Sequence, residues 1–286
     1  MSITHKTIFD KVKGYKGNPI DEYNKIEAFI KTKKCYYHDT IYDLLETNFQ
    51  KCKLLRANYI DLNDCLFGIT KTLERYKSCK YDYLENDIQD KLLDSFLTYC
   101  EVVVCVYFVT LKYYLYQTRV WDEREFDKDT YKQLNDIIKN SLKSINHDYK
   151  MMDDDNFEIA VFKCNPEAEF VAEQSPTKLK DAIYYYLGTK SSDVDLKENY
   201  LHIIIDQIEP LLKKYKDSNL VLKVEEYVQL IRHPEMKIDE KQYEWYFANK
   251  SVYLDELFML CIFVKEYDVT KGTIKKFDAL KKESNN

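Results

Sequence analysis

Glycine and proline are scarce, with five of each in 286 residues. Globular chains usually hold ~12% of the two together. Tight turns depend on them, so a β-sandwich, barrel or propeller is disfavoured. Only Gly14 and Gly17 lie close together, which leaves no Gly-rich loop to cradle a phosphate. Arginine is as rare: Arg56, Arg75, Arg119, Arg124 and Arg232. It is the preferred bidentate reader of phosphate and guanine, so a duplex-reading surface has little to draw on. The eight cysteines, at 35, 52, 65, 79, 100, 105, 164 and 261, include no C-x-x-C pair. A structural zinc site normally needs such pairs. Mean hydropathy is −0.53, which argues against an integral membrane protein. The charge-free run Val102–Leu111 is shorter than the ~20 apolar residues of a spanning helix. Met1–Gly17 is polar and lacks the apolar core of a signal peptide. Reduced thiols in a cytoplasmic compartment follow as the simplest expectation.

The charge that is present is finely mixed. Charged residues make up 32% of the chain and the net charge is −6. Residues 151–175 hold seven acids against Lys163, so this one segment carries the whole imbalance. Tyrosine stands out, with 26 residues. It clusters at Tyr184-Tyr185-Tyr186 and in Tyr243-Glu244-Trp245-Tyr246-Phe247. Such aromatics pad helical cores, anchor protein interfaces or stack on single-stranded bases. The interface reading is preferred to nucleic acid.

Helical grammar runs through most of the chain. Asn18-Pro19 is a cap followed by proline at the first helical position. Ile20, Tyr23, Ile26, Phe29 and Ile30 then repeat at helical spacing over roughly 19–33. Asp39 is the expected cap of a second helix, Asn63 opens a third, and Asp129 and Asp195 cap two later ones. Val102–Leu111 is β-branched enough for a buried strand. Leu92, Leu93, Phe96, Leu97 and Cys100 lead into it at helical spacing, however, so a central helix near 83–118 is preferred. Gly188 is expected to stop a helix as a left-handed residue, and Pro210 to kink one. Met151–Gln174 is acidic and aperiodic, apart from a short strand-like stretch at Phe157–Phe162.

The expected fold is all-α, an irregular multi-helix bundle of two packed helical subdomains. Residues 1–150 form the first, 151–175 an acidic connector, and 176–286 the second. No catalytic constellation emerges. Arg232 and His233 are adjacent and point about 100° apart on a helix, and no Arg has a His four to six residues away. Asp122–Asp129 and Asp153–Asp155 read as solvated acids, and Cys35 with His38 as a weak thiol–imidazole pair. No cofactor or metal is expected. The functional expectation is a non-enzymatic interaction protein that binds, regulates or assembles through protein–protein contacts, away from membranes. Asp153, Asp154, Asp155, Tyr184, Tyr185, Trp245 and Tyr246 are the candidate partner-binding residues. The competing reading is a helical nuclease or toxin-like effector of a mobile element or defence system. Its site would be assembled from residues distant in sequence.

Overall fold

The computed structural model of the chain describes residues 17–117, 126–153, 155–190, 193–232, 244 and 248–283. It is 74% helical, with two small two-stranded sheets, and the fold is all-α. Two compact units divide between Lys163 and Cys164.

The first unit opens with α1 (Pro19–Thr32). Asn18 caps it by accepting from the Ile20 N–H at 2.9 Å, and Asp21 and Glu22 sit in the first turn. The dipole favours acids there. Strands β1 (Lys34–Tyr36) and β2 (Asp39–Thr40) turn the chain into α2 (Ile41–Phe49). Thr40, not Asp39, caps α2 through a reciprocal capping box with Asp43. A four-residue helix α3 (Lys53–Arg56) leads to α4 (Leu62–Arg75), which is capped by Asp61. Helix α5 (Asn86–Gln117) is followed by α6 (Lys128–Ser144), and β3 (His147–Asp153) pairs with β4 (Glu158–Lys163).

Helix α5 is the axis of this unit. Val102 to Tyr107 are six consecutive buried residues, so the helix is apolar on every side. Such a helix must be surrounded. Helices α1, α2, α4 and α6 and strand β4 all pack against it. Residues 102–111 are therefore helix and not strand. Asn86–Tyr113 is also long and apolar enough, by length and composition, to cross a membrane, so the apolar span exceeds the ten-residue run read from the sequence. Within the structure, 61% of that apolar window is buried against the rest of the chain.

The second unit contains α7 (Pro166–Glu173), α8 (Thr177–Gly188), α9 (Val194–Lys214), α10 (Asn219–Arg232) and α11 (Lys250–Glu283). Leu201, Ile204, Ile205 and Ile208 of α9 are buried, as are Leu254, Leu257, Phe258 and Cys261 of α11. Asp193 caps α9, two residues upstream of the expected Asp195. Gly188 stays helical, because the chain leaves α8 through Thr189 in an extended conformation and needs no left-handed residue. Helix α9 runs through Pro210 to Lys214.

The acidic connector expected at 151–175 is folded structure. Its first part completes the antiparallel β3–β4 hairpin, in which Tyr149 faces Val161 and Met151 faces Ile159. Its second part is α7. Asn165 accepts from the Ala168 N–H at 2.9 Å, and Glu169 returns a bond to the Asn165 N–H at 2.9 Å. The hairpin turn is closed by Asp153 and by Phe157 in the left-handed region at φ 56°. A phenylalanine in that conformation carries no turn signal in a sequence.

Candidate interaction surface

The proposed partner-binding residues that are described belong to two units, Asp153 and Asp155 to the first and Tyr184 and Tyr185 to the second. Asp153 closes its own turn, accepting from the backbone N–H groups of Asp155 (2.8 Å) and Asn156 (3.2 Å) and from the Asn156 amide (2.7 Å). These bonds hold its carboxyl below the usual range. Asp155 is exposed in the same turn. Tyr184 is buried, and its phenol donates to Glu173 at 2.7 Å, so it is a packing residue rather than an anchor. Tyr185 is half-buried and stacks on Tyr200 with ring centroids 5.3 Å apart. Asp154, Trp245 and Tyr246 lie outside the described residues, as do Asp122 to Glu125 and His233.

The buried acids are structural. Glu22 accepts from Lys25 at 2.6 Å and from the Ser141 hydroxyl at 2.7 Å. Glu27 pairs with Lys31 at 2.6 Å and accepts from Tyr99 at 3.1 Å. In the second unit the buried Lys197 ammonium meets Asp255 Oδ1 at 2.6 Å. The Tyr186 phenol donates to the same oxygen at 2.8 Å, and its ring stacks on Phe258 at 4.1 Å. Burial, then the Asp255 charge, pushes the Tyr186 phenol far above its ordinary value. Cys35 is buried, and its thiol is pushed up to about 12 by burial, then by Asp127, Asp39 and Asp43. A thiol so raised is a poor nucleophile, which removes the Cys35–His38 pair from the catalytic candidates. Among the described residues no three His, Cys, Asp or Glu side chains converge as a metal ion would require.

One surface has a different character. Residues 51–80 carry Lys51, Lys53, Arg56, Lys71, Arg75, Lys77 and Lys80 against Asp61, Asp64 and Glu74, a net +4 in a chain of net −6. All seven bases are exposed, and among the described residues none of them forms an ion pair. Two of the three acids are spent on local structure. Asp61 accepts from the Asp64 N–H at 2.7 Å, and Asp64 accepts from the Ile60 N–H at 3.0 Å.

Large apolar side chains stand among these cations. Ile60 is 78% exposed, Phe67 66%, Leu54 49% and Tyr59 40%. The folding pattern of α4 explains Phe67. Leu62, Cys65, Leu66 and Leu73 take the buried stripe, so Phe67 and Lys71, one turn apart, fall on the opposite face. The Lys71 ammonium lies 5.6 Å from the Phe67 ring centre. Ile60 precedes the α4 cap, Asp61. Its carbonyl accepts from the Gln50 amide at 2.5 Å, and its N–H is held by Asp64. Gly68 lies beside Phe67, with no atom within 4 Å of where a Cβ would stand. The surface escaped the sequence reading because charge was balanced over the whole chain outside 151–175. A thirty-residue window exposes it.

No protein-family model, curated protein or solved structure matches the chain.

Proposed function

We propose that the chain is a non-enzymatic helical interaction protein that uses its basic face at residues 51–80 to dock an acidic protein segment with apolar anchors. One observation carries this reading: residues 51–80 expose Ile60 and Phe67 together with seven cations that form no ion pair among the described residues. An isolated exposed apolar residue means little, whereas a group rimmed by charge is the usual form of a protein-binding site. The cations steer an acidic partner and set its on-rate. Ile60 and Phe67 supply the desolvated centre that holds it. A protein is favoured over single-stranded nucleic acid because Ile60 and Leu54 are aliphatic and give bases no ring to stack on. The reading places the chain in a reducing cytoplasmic setting, away from membranes.

The test is affinity capture from the native source after nuclease treatment, with wild-type chain and an Ile60→Ala/Phe67→Ala variant as parallel baits. Wild type retains an acidic protein that the variant releases, and the captured pair dissociates as salt is raised. Equal capture by both baits refutes the reading. Capture abolished by the nuclease transfers the surface to nucleic acid.

A further inference from the structure

The link between α2 and α4 holds a second feature, beneath the docking face. Cys52 Sγ lies 3.0 Å from Cys105 Sγ, and both residues are free cysteines. They are 53 positions apart in sequence, so the fold and not local geometry brings them together. Two sulfurs at that separation are inside van der Waals contact and need only ~1 Å more to reach bonding distance. Cys105 is fixed on the central helix α5. Cys52 precedes the four-residue α3 in a non-helical conformation, with φ −81° and ψ 89°.

We propose that Cys52 and Cys105 are an oxidisable dithiol that closes to an intramolecular disulfide when a small peroxide reaches it. The Cys52 thiolate attacks one peroxide oxygen and the O–O bond breaks, giving a sulfenic acid on Cys52 and one water. The Cys105 sulfur then attacks the Cys52 sulfur, the S–S bond forms, the S–O bond breaks and a second water leaves. Two thiols lose two electrons and two protons, and one peroxide becomes two waters.

The surroundings assign the roles. The hydrogen bond with Cys105 lowers the Cys52 thiol against the opposing effect of burial. The same bond and burial raise Cys105. Cys52 stands outside the central helix, before a short helix with no buried residue, and is assigned as the attacking thiolate, with Cys105 as the resolving thiol. Cys65 is pushed up to about 11 by burial and then by Cys52, which leaves it a bystander. Both sulfurs of the pair are buried. Cys52 directly precedes α3, in which no residue is buried, and segments with few buried residues are the ones that open locally. A peroxide the size of water can pass, whereas a protein oxidoreductase is excluded.

The experiment uses the full chain, reduced and freed of reductant, then treated with hydrogen peroxide, denatured, alkylated and mapped by mass spectrometry without reduction. The expected product is one cross-linked peptide joining Cys52 to Cys105, reversed by dithiothreitol. It should form equally in a Cys79→Ser variant, which removes the exposed cysteine. In Cys105→Ser the Cys52 sulfenic acid has no resolving partner and is trapped by dimedone. If that variant does not fold, the wild-type map still decides. Oxidation confined to Cys79, or a bond from Cys52 to Cys65, overturns the proposal.

Discussion

Each unit is organised on a helix of more than thirty residues, and the two helices are built on different plans. In α5 the buried residues run without a break from Val102 to Tyr107. In α11 they come in pairs, Tyr253 and Leu254, Leu257 and Phe258, Cys261 and Ile262, followed by the single Val264. Val252, Phe263 and Tyr267 of α11 stay in solvent. The first pattern needs a neighbour on every side, and the unit supplies four helices and a hairpin strand. The second needs a neighbour along one stripe only. That difference also decides where polar groups go. Beside α11 the stripe leaves an edge, and there the buried Lys197 meets the half-exposed Asp255. Helix α5 offers no such edge. Its own polar groups are bonded in place: the Tyr99 phenol donates to the buried Glu27 carboxylate at 3.1 Å, the Thr110 hydroxyl bonds back to the Val106 carbonyl at 2.8 Å, and the Tyr107 carbonyl accepts from the Tyr131 phenol at 3.2 Å.

The comparison breaks most sharply on core truncation. Phe96→Ala in α5 removes a fully buried ring and should cost about 3–5 kcal/mol, and Leu257→Ala in α11 about 2–5 kcal/mol. Calorimetry should show each variant lowering a different transition, one per unit. A single transition lowered by both would mean the two cores melt as one. A smaller effect is expected from Asp255→Ala, which strands the buried Lys197 ammonium and the Tyr186 phenol. Its cost should be about 1–3 kcal/mol, moderated because Asp255 is half-exposed, and urea unfolding measures it. Lys197→Met in that background should restore much of the loss, because it removes the orphaned charge.

Between pH 7.5 and 5.5 the first unit should show a pH dependence set by His147. Burial holds the His147 imidazole below its ordinary value, and its Nδ1 lies 2.8 Å from the Ile145 carbonyl oxygen. The folded chain binds this proton less readily than the unfolded chain does. Stability is therefore complete above pH ~6.5 and falls as pH drops through that value toward the lower folded one. Denaturation midpoints between pH 7.5 and 5.5 should fall for wild type and flatten in His147→Gln. The smallest effect on folding is expected at the basic face. Lys53→Glu with Lys71→Glu should change stability by no more than about 0.5 kcal/mol per site. The same pair should slow association with an acidic partner in stopped-flow measurements. Unfolding by this pair would show that the cations serve the fold rather than a partner.

The helices were legible because apolar residues at 3.6-residue spacing and an Asn-Pro start admit few other readings. Cap positions were less so. Asp61, Asp127 and Asp193 cap their helices, each two residues before the residue chosen from spacing. Both members of each pair suit the first turn, and only the backbone dihedrals tell them apart. Helix α7 was missed although Asn165-Pro166 repeats the Asn18-Pro19 signature, because its eight residues are too few to show a period. The β3–β4 turn was hidden by the absence of glycine, since Phe157 occupies the left-handed position itself. The Cys52–Cys105 contact joins residues 53 positions apart, and no local pattern encodes it.

Gly68 lies in mid-helix, on the side of α4 that faces away from the core, and no neighbour requires its smallness. Glycine at such a site weakens a helix by about 1 kcal/mol relative to alanine. A design that sought only a robust fold would replace it. Its consequence is a bare stretch of main chain beside Phe67, a notch one methyl group deep where a visiting chain can approach α4 more closely than over any other residue of that face. Gly68→Ala therefore separates two selection pressures within one atom: the alanine form should melt later and bind less tightly.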